Sequence, residues 1–151
     1  MMSSGSNSGN DQSNSSEISE CTVVLRDDRG DVQRLQSSIC EQLSAIGYDD
    51  SASFAVRLSL EEALANGFRH GNQSNPEKSV TVVYRIGANE VSITVEDQGS
   101  GFDPDAVPDP TDEANLEIPS GRGIMLIRAY MTDVQIIPPG NRLEMMFQRP
   151  A

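Results

Sequence analysis

Apolar residues first recur at helical spacing. Val32, Leu35, Ile39, Leu43 and Ile46 fall three or four apart after Gly30, which predicts an amphipathic helix with Asp31 placed to cap it and Gly47 to stop it. A second helix starts at a cap among Asp49, Asp50 and Ser51 and runs to His70-Gly71, an ending that suits a left-handed glycine. Asn72 to Lys78 is turn chemistry around Asn75-Pro76, and beyond it the period shortens from 3.6 to 2. Val80, Val82, Tyr84 and Ile86 alternate with Thr81, Val83 and Arg85. After Gly87-Ala88-Asn89 the alternation resumes as Val91, Ile93 and Val95, so the two runs predict a β-hairpin.

Shorter signals complete the order. Cys21 to Arg26 is rich in β-branched residues and predicts a first strand at a sheet edge or in a subunit contact. Pro104 to Pro119 has Pro, Asp and Glu without a period and reads as a long acidic loop of the kind that forms lids or binding segments. Ser120-Gly121-Arg122-Gly123 then opens a helix through Ile124, Leu126, Ile127 and Tyr130. Val134–Ile137 and Leu143–Phe147 close the chain as a hairpin across Pro138-Pro139-Gly140-Asn141. Because the strands come mostly as hairpins, the expected fold is α+β: a two-layer sandwich with a mainly antiparallel sheet and helices on one face.

Composition narrows the classes. The 151 residues suit one domain, taken as residues 19–150 behind a Ser/Asn/Gly-rich tail, 1–18, with too little apolar surface to order. A formal charge of −12 disfavours nucleic acid and anionic membranes, since phosphate backbones are held by basic surfaces. The N-terminal residues lack a cationic start and an apolar run, so the expected location is cytoplasmic. Cys21 and Cys40 have no metal-ligand spacing and read as reduced and structural.

Three stretches carry candidate chemistry. In Glu61-Glu62-Ala63-Leu64-Ala65-Asn66-Gly67-Phe68-Arg69-His70-Gly71, Glu62 and Asn66 lie within about 40° on the helix, with Arg69 close by on the same face. Phe54, Leu58 and Ala65 on one side and Ala63 and Gly67 on the other look made for burial, so the polar stripe should line a cleft. Glu61, about 140° from Asn66, cannot share it. In Asp97-Gln98-Gly99-Ser100-Gly101, a carboxylate stands beside backbone bared by glycine. Asp97 is suited to accept from an exocyclic amine while Gly99 and Gly101 admit a flat ring. Gly121-Arg122-Gly123 at a helix start offers unpaired N–H groups to phosphates. Each stretch alone also fits an ordinary solvated helix face or tight turn.

In this order and spacing, Glu-x-x-x-Asn-x-x-x-His-Gly, Asp-x-Gly-x-Gly, lid and Gly-x-Gly together resemble the GHKL ATP-binding superfamily. The forms Glu-Ala-Leu-Ala-Asn-Gly-Phe-Arg-His-Gly, Asp-Gln-Gly-Ser-Gly-Phe-Asp-Pro and Ser-Gly-Arg-Gly-Ile-x-Leu-Ile look like its bacterial anti-sigma factor serine kinases, over about residues 20 to 148. The resemblance implies the Bergerat fold with a mixed, mainly antiparallel sheet, ATP with Mg²⁺ as ligands, and a role for each residue. Asn66 would ligate Mg²⁺, and Glu62 would be the general base. Asp97 would read the adenine amine, and Gly99 and Gly101 would shape its pocket. Gly121 and Gly123 would hold phosphates under the 104–119 lid.

The implied partners are a sigma factor and a STAS-like anti-anti-sigma protein carrying the acceptor serine or threonine. The first strand and exposed sheet become homodimer surfaces by the same resemblance. Members of this group can carry a basic residue where this chain has Pro119-Ser120, so Arg122, with Arg69 second, stands in for it. His70 reads as a helix-end hydrogen-bonding residue. A second reading keeps the same pocket as a nucleotide-dependent binding switch without phosphoryl transfer. Glu62 favours the kinase, because a switch needs no base.

Overall fold

The computed structural model describes residues 19–100 and 121–150. The expected tail, lid and Gly101 lie outside them. The elements run β1 (Ser19–Leu25), α1 (Arg29–Ala45), α2 (Asp50–Ala65) continuing into a π-helical turn (Asn66–Gly71), β2 (Val80–Ile86), β3 (Glu90–Glu96), α3 (Gly121–Tyr130), β4 (Asp133–Ile137) and β5 (Arg142–Gln148). The strands form one sheet in the order β1-β2-β3-β5-β4, and every neighbouring pair is antiparallel, in keeping with the mainly antiparallel sheet expected and without a parallel pair among the described strands. Alternation decides its faces. Val80, Val82, Tyr84, Ile86, Val91, Ile93, Val95 and Met145 are buried under the helices, whereas Arg85, Glu96 and Gln135 are exposed.

Helix α1 buries Val32, Leu35, Ile39 and Leu43, the expected stripe. Its cap is Asp28, not Asp31. Asp28 has extended backbone and accepts from Gly30 N (2.8 Å) and Asp31 N (3.2 Å), while Asp31 sits in the first turn, where its charge meets the positive end of the helix dipole. Gly47 ends the helix with φ +92°, and Ile46, at the C-cap, leaves the core stripe and is exposed. Asp49 caps α2 by accepting from Ala52 N (2.8 Å). Leu60 and Leu64 of α2 are fully buried, each contributing about 1.5–3 kcal/mol by leaving water.

Two expectations for α2 fail. Phe54 was expected in the core but is 49% exposed, its ring meeting that of the also exposed Tyr130 of α3 edge-on at 5.7 Å. The His70-Gly71 ending is not a left-handed glycine cap. The helix widens instead, with Asn72 N donating to Gly67 O (2.8 Å), and the positive φ values follow at Gln73 and Ser74.

Candidate functional site

The site forms where the end of β3, the π-helical turn and the first turn of α3 meet. Together with the β4–β5 turn they enclose a cavity of about 530 Å³ whose walls include Asn66, Gly67, Asp97, Gly99, Ile124 and Asn141. That is a ligand-sized volume. Three sequence-separated stretches thus converge on one concave surface.

The first wall is α2. Glu61 turns toward α1, where Gln36 Nε2 donates to its Oε1 (3.0 Å) and Arg29 pairs with it at 3.6 Å. Glu62 turns toward α3: a Cβ built on Gly123 would stand 3.3 Å from Glu62 Oε1 and 3.5 Å from Asn66 Nδ2. The carboxylate and the carboxamide therefore meet the start of α3 where its residue has no side chain. Asn66 Nδ2 is buried without a hydrogen-bond partner among the described residues. Such an orphan amide is costly unless a ligand engages it, and rotating the amide by 180° presents its oxygen instead.

Arg69 behaves differently from the α-helical phase assumed for it. The turn beginning at Asn66 is π-helical, which rotates later residues off the Glu62–Asn66 line, and Arg69 is exposed and does not line the cavity. His70 and Gly71 line it instead.

The second wall is the end of β3. Asp97 is half-buried, and its Oδ1 accepts from Gly99 N (2.7 Å). Burial, first of all, raises its carboxyl above the usual range; the Gly99 N–H opposes the shift, nearby Glu96 adds to it, and Lys78 counters it. A further donor from a ligand would relieve that desolvation. Backbone approaches backbone here. A Cβ at Gly99 would overlap the Gly71 carbonyl, and one at Gly71 would overlap the Asp97 carboxylate, so both positions need glycine for contact rather than for dihedral freedom.

The third wall is α3, whose first residues are Gly121, Arg122 and Gly123. A ten-residue helix of this kind directs unpaired N–H groups and the positive end of its dipole out of its first turn. The structure thus brings Glu62 and Asn66 together at Gly123, and sets Asn66 on the cavity wall with Asp97 and Gly99, while Glu62 and Gly123 themselves do not line the cavity. Gly101 lies outside the described residues, and Gly121 and Arg122 are described only as members of that first turn.

Four cavity residues carried no signal in the sequence reading. Lys78, the only lysine of the chain, and Arg142 line the cavity, as do Gln98 and Asn141. They sit in turns or at strand ends, where polar residues are expected without any site. Their shared wall is a product of the sheet order.

The donor set fits a magnesium-bound nucleotide. It offers an orphan carboxamide, a glycine-lined approach to a helix N-terminus, and a desolvated acceptor on the far wall. Among the described residues no group of three or more His, Cys, Asp or Glu could hold a metal by itself. An ion at Asn66 would therefore take its other ligands from phosphates and water.

A nucleotide-sized cavity on an antiparallel α+β sandwich, bounded by helix-borne Asn66 and by Asp97 at a strand end, fits a nucleotide-binding class of fold. The chain belongs to the histidine kinase-like ATPase domain family, whose model matches residues 25–147. Among similar curated proteins, serine-protein kinase RsbW of Listeria monocytogenes is 25% identical over 62% of this chain and 63% of its own length. The anti-sigma F factor of Clostridium perfringens is 29% identical over 58% and 64%, and that of Oceanobacillus iheyensis 31% identical over 54% and 58%. The chain thus spans less than two thirds of each of these relatives. Of solved structures, the RsbU and RsbW domains of Rv1364c from Mycobacterium tuberculosis share the fold, with a TM-score of 0.58 and 15% identity over 87% of this chain and 31% of that one. Among the described residues no helix is long and apolar enough to cross a membrane.

Proposed function

We propose that this chain is an ATP-dependent protein serine/threonine kinase that acts as an anti-sigma factor, binding a sigma factor and phosphorylating a STAS-like anti-anti-sigma protein. The observation that carries the reading is the convergence on side-chain-free Gly123, at the start of α3, of Glu62 Oε1 and Asn66 Nδ2, the latter without a hydrogen-bond partner among the described residues. A purely structural helix contact would bury apolar side chains there. The similarity to RsbW and to anti-sigma F factors supports the partner classes.

Asp97 accepts the adenine amine, with Gly99 and Gly101 leaving room for the ring. Gly121, Arg122 and Gly123 receive the phosphates at the start of α3. Asn66 would hold Mg²⁺ by its carboxamide, and the ion when bound would supply charge neutralisation on the phosphates. Glu62 accepts the proton of the acceptor hydroxyl as that oxygen bonds to the γ-phosphorus. The bond from the γ-phosphorus to its bridging oxygen breaks, and ADP leaves. Positioning and charge do most of this work, so the residues act by geometry more than by covalent chemistry.

Labelled ATP incubated with the purified protein and its antagonist tests the reading. Labelled phosphoserine or phosphothreonine on the antagonist is the expected product. No transfer, together with a nucleotide-dependent change in partner affinity, would replace the kinase by the switch. Cytoplasmic location and a homodimer through β1 and the open sheet face belong to the same proposal.

A further inference from the structure

One peptide unit of the site is held from both sides by asparagines that have no part in the chemistry above. The carbonyl of Asp97 accepts from Asn141 Nδ2 (3.0 Å), and the N–H of the same peptide, on Gln98, donates to Asn72 Oδ1 (2.7 Å). The preceding N–H, on Asp97 itself, donates to Asn141 O (2.9 Å). Asn72 is 1% exposed and uses all its polar groups: Nδ2 donates to Ser79 O (2.9 Å), its N–H closes the π-helical turn on Gly67, and its carbonyl accepts from Asn75 N. It ties the end of the helix, the approach to β2 and the exit from β3 into one joint.

A peptide plane bonded at both its C=O and its N–H cannot rotate without breaking a hydrogen bond, one of them to a fully buried amide. That plane sets the direction in which the Asp97 side chain leaves the backbone. We infer that Asn72 and Asn141 are positioning residues for base selection: they aim the Asp97 carboxylate, and nucleotide discrimination depends on them although neither touches the reacting atoms. The inference rests on the reading of Asp97 as the adenine acceptor.

The test compares dissociation constants for ATP and for purine riboside triphosphate, which lacks the exocyclic amine. Wild-type protein should prefer ATP on the order of tenfold or more, the value of a hydrogen bond to a charged group. Asn72→Ala and Asn141→Ala, shown folded by circular dichroism, should pull that ratio several-fold toward one by weakening ATP while leaving the analogue nearly unchanged. Asn75→Ala, in the adjoining exposed turn, should keep the wild-type ratio.

A scaffold role alone would weaken both nucleotides equally, and an unchanged ratio in the folded alanine variants would overturn the inference. A wild-type ratio near one would instead remove the Asp97 reading itself. If Asn72→Ala does not fold, Asn141→Ala carries the comparison, since its backbone carbonyl still receives Asp97 N. Hydrogen exchange on the wild type gives a readout free of mutation. The Gln98 amide should be as protected as that of Asp97, and fast exchange there would show that the clamp is not made.

Discussion

The two ends of β3 are built from similar polar groups and used in opposite ways. At its start, the β2–β3 turn is fastened by residues far apart in sequence. Tyr48 OH donates to Gly87 O (2.8 Å), Arg149 Nη1 donates to Ala88 O (2.9 Å) and Ile46 O (3.3 Å), and the guanidinium stacks 4.4 Å above the Tyr48 ring. Arg149 N donates to Asn89 O (2.8 Å) as well. Here polar groups answer one another, and the result is a closed fastening. At the other end of β3, seven residues on, Asp97 is desolvated beyond what Gly99 compensates, and Asn66 Nδ2 has no partner among the described residues. Unanswered groups cost stability, and they persist where a ligand completes them. The contrast supports the proposal that the Asp97 end is the functional one.

The sharpest way to break the comparison is at Glu62. Glu62→Gln should cut phosphoryl transfer by roughly 10²–10⁴-fold, as expected for a general base, and leave Mg·ATP affinity nearly unchanged in calorimetry. Glu61→Gln, whose carboxylate is engaged with Gln36 and Arg29, should do neither. Loss of transfer in Glu61→Gln alone would reverse the assignment of the helix face. Asn66→Ala should weaken Mg²⁺-dependent ATP binding on the order of tenfold, with transfer falling alongside, because binding and chemistry share that ligand.

Asp97→Asn should separate stability from binding. The folded-state pKa of Asp97 is raised, so its contribution to stability is full below the ordinary carboxylate pKa and is lost as pH rises through the folded value. At neutral pH the carboxylate therefore works against folding. Asp97→Asn should raise the melting temperature at pH 7, lose that advantage toward pH 3, and weaken ATP by several-fold. An unchanged or lower melting temperature at pH 7 would show that the carboxylate is not under strain from burial.

The smallest effect on function belongs to the opposite end. Arg149→Ala should lower stability by about 1–2 kcal/mol through loss of its carbonyl contacts and ring stacking, and leave nucleotide affinity unchanged. A change in ATP affinity there would show the two ends to be coupled through β3.

Much of the architecture is local information. The alternation in β2 and β3, the stripe of α1 and the stop at Gly47 all follow from side-chain period and glycine chemistry, which need only a few neighbouring residues to be read. The same holds for the placing of Glu62 against Glu61, since helical phase is local as long as the helix stays α. Phase ceased to be a guide at Asn66, where the helix widens to a π-turn and carries Arg69 away from the cavity. The exposure of Phe54 depended on how chain segments met, whereas the cap at Asp28 is local, its bonds reaching two and three residues on.

What only tertiary structure decided is the joint around Asp97. Asn72, Gln98 and Asn141 are ordinary turn residues in sequence, and nothing in their local pattern distinguishes a buried clamp from a solvated loop. Their bonds span 26 and 44 positions, made possible because β3 lies between β2 and β5 in the sheet. Strand order brings the ends of distant segments to one edge of the cavity, and hydrogen bonds that depend on strand order have no periodic trace in the chain.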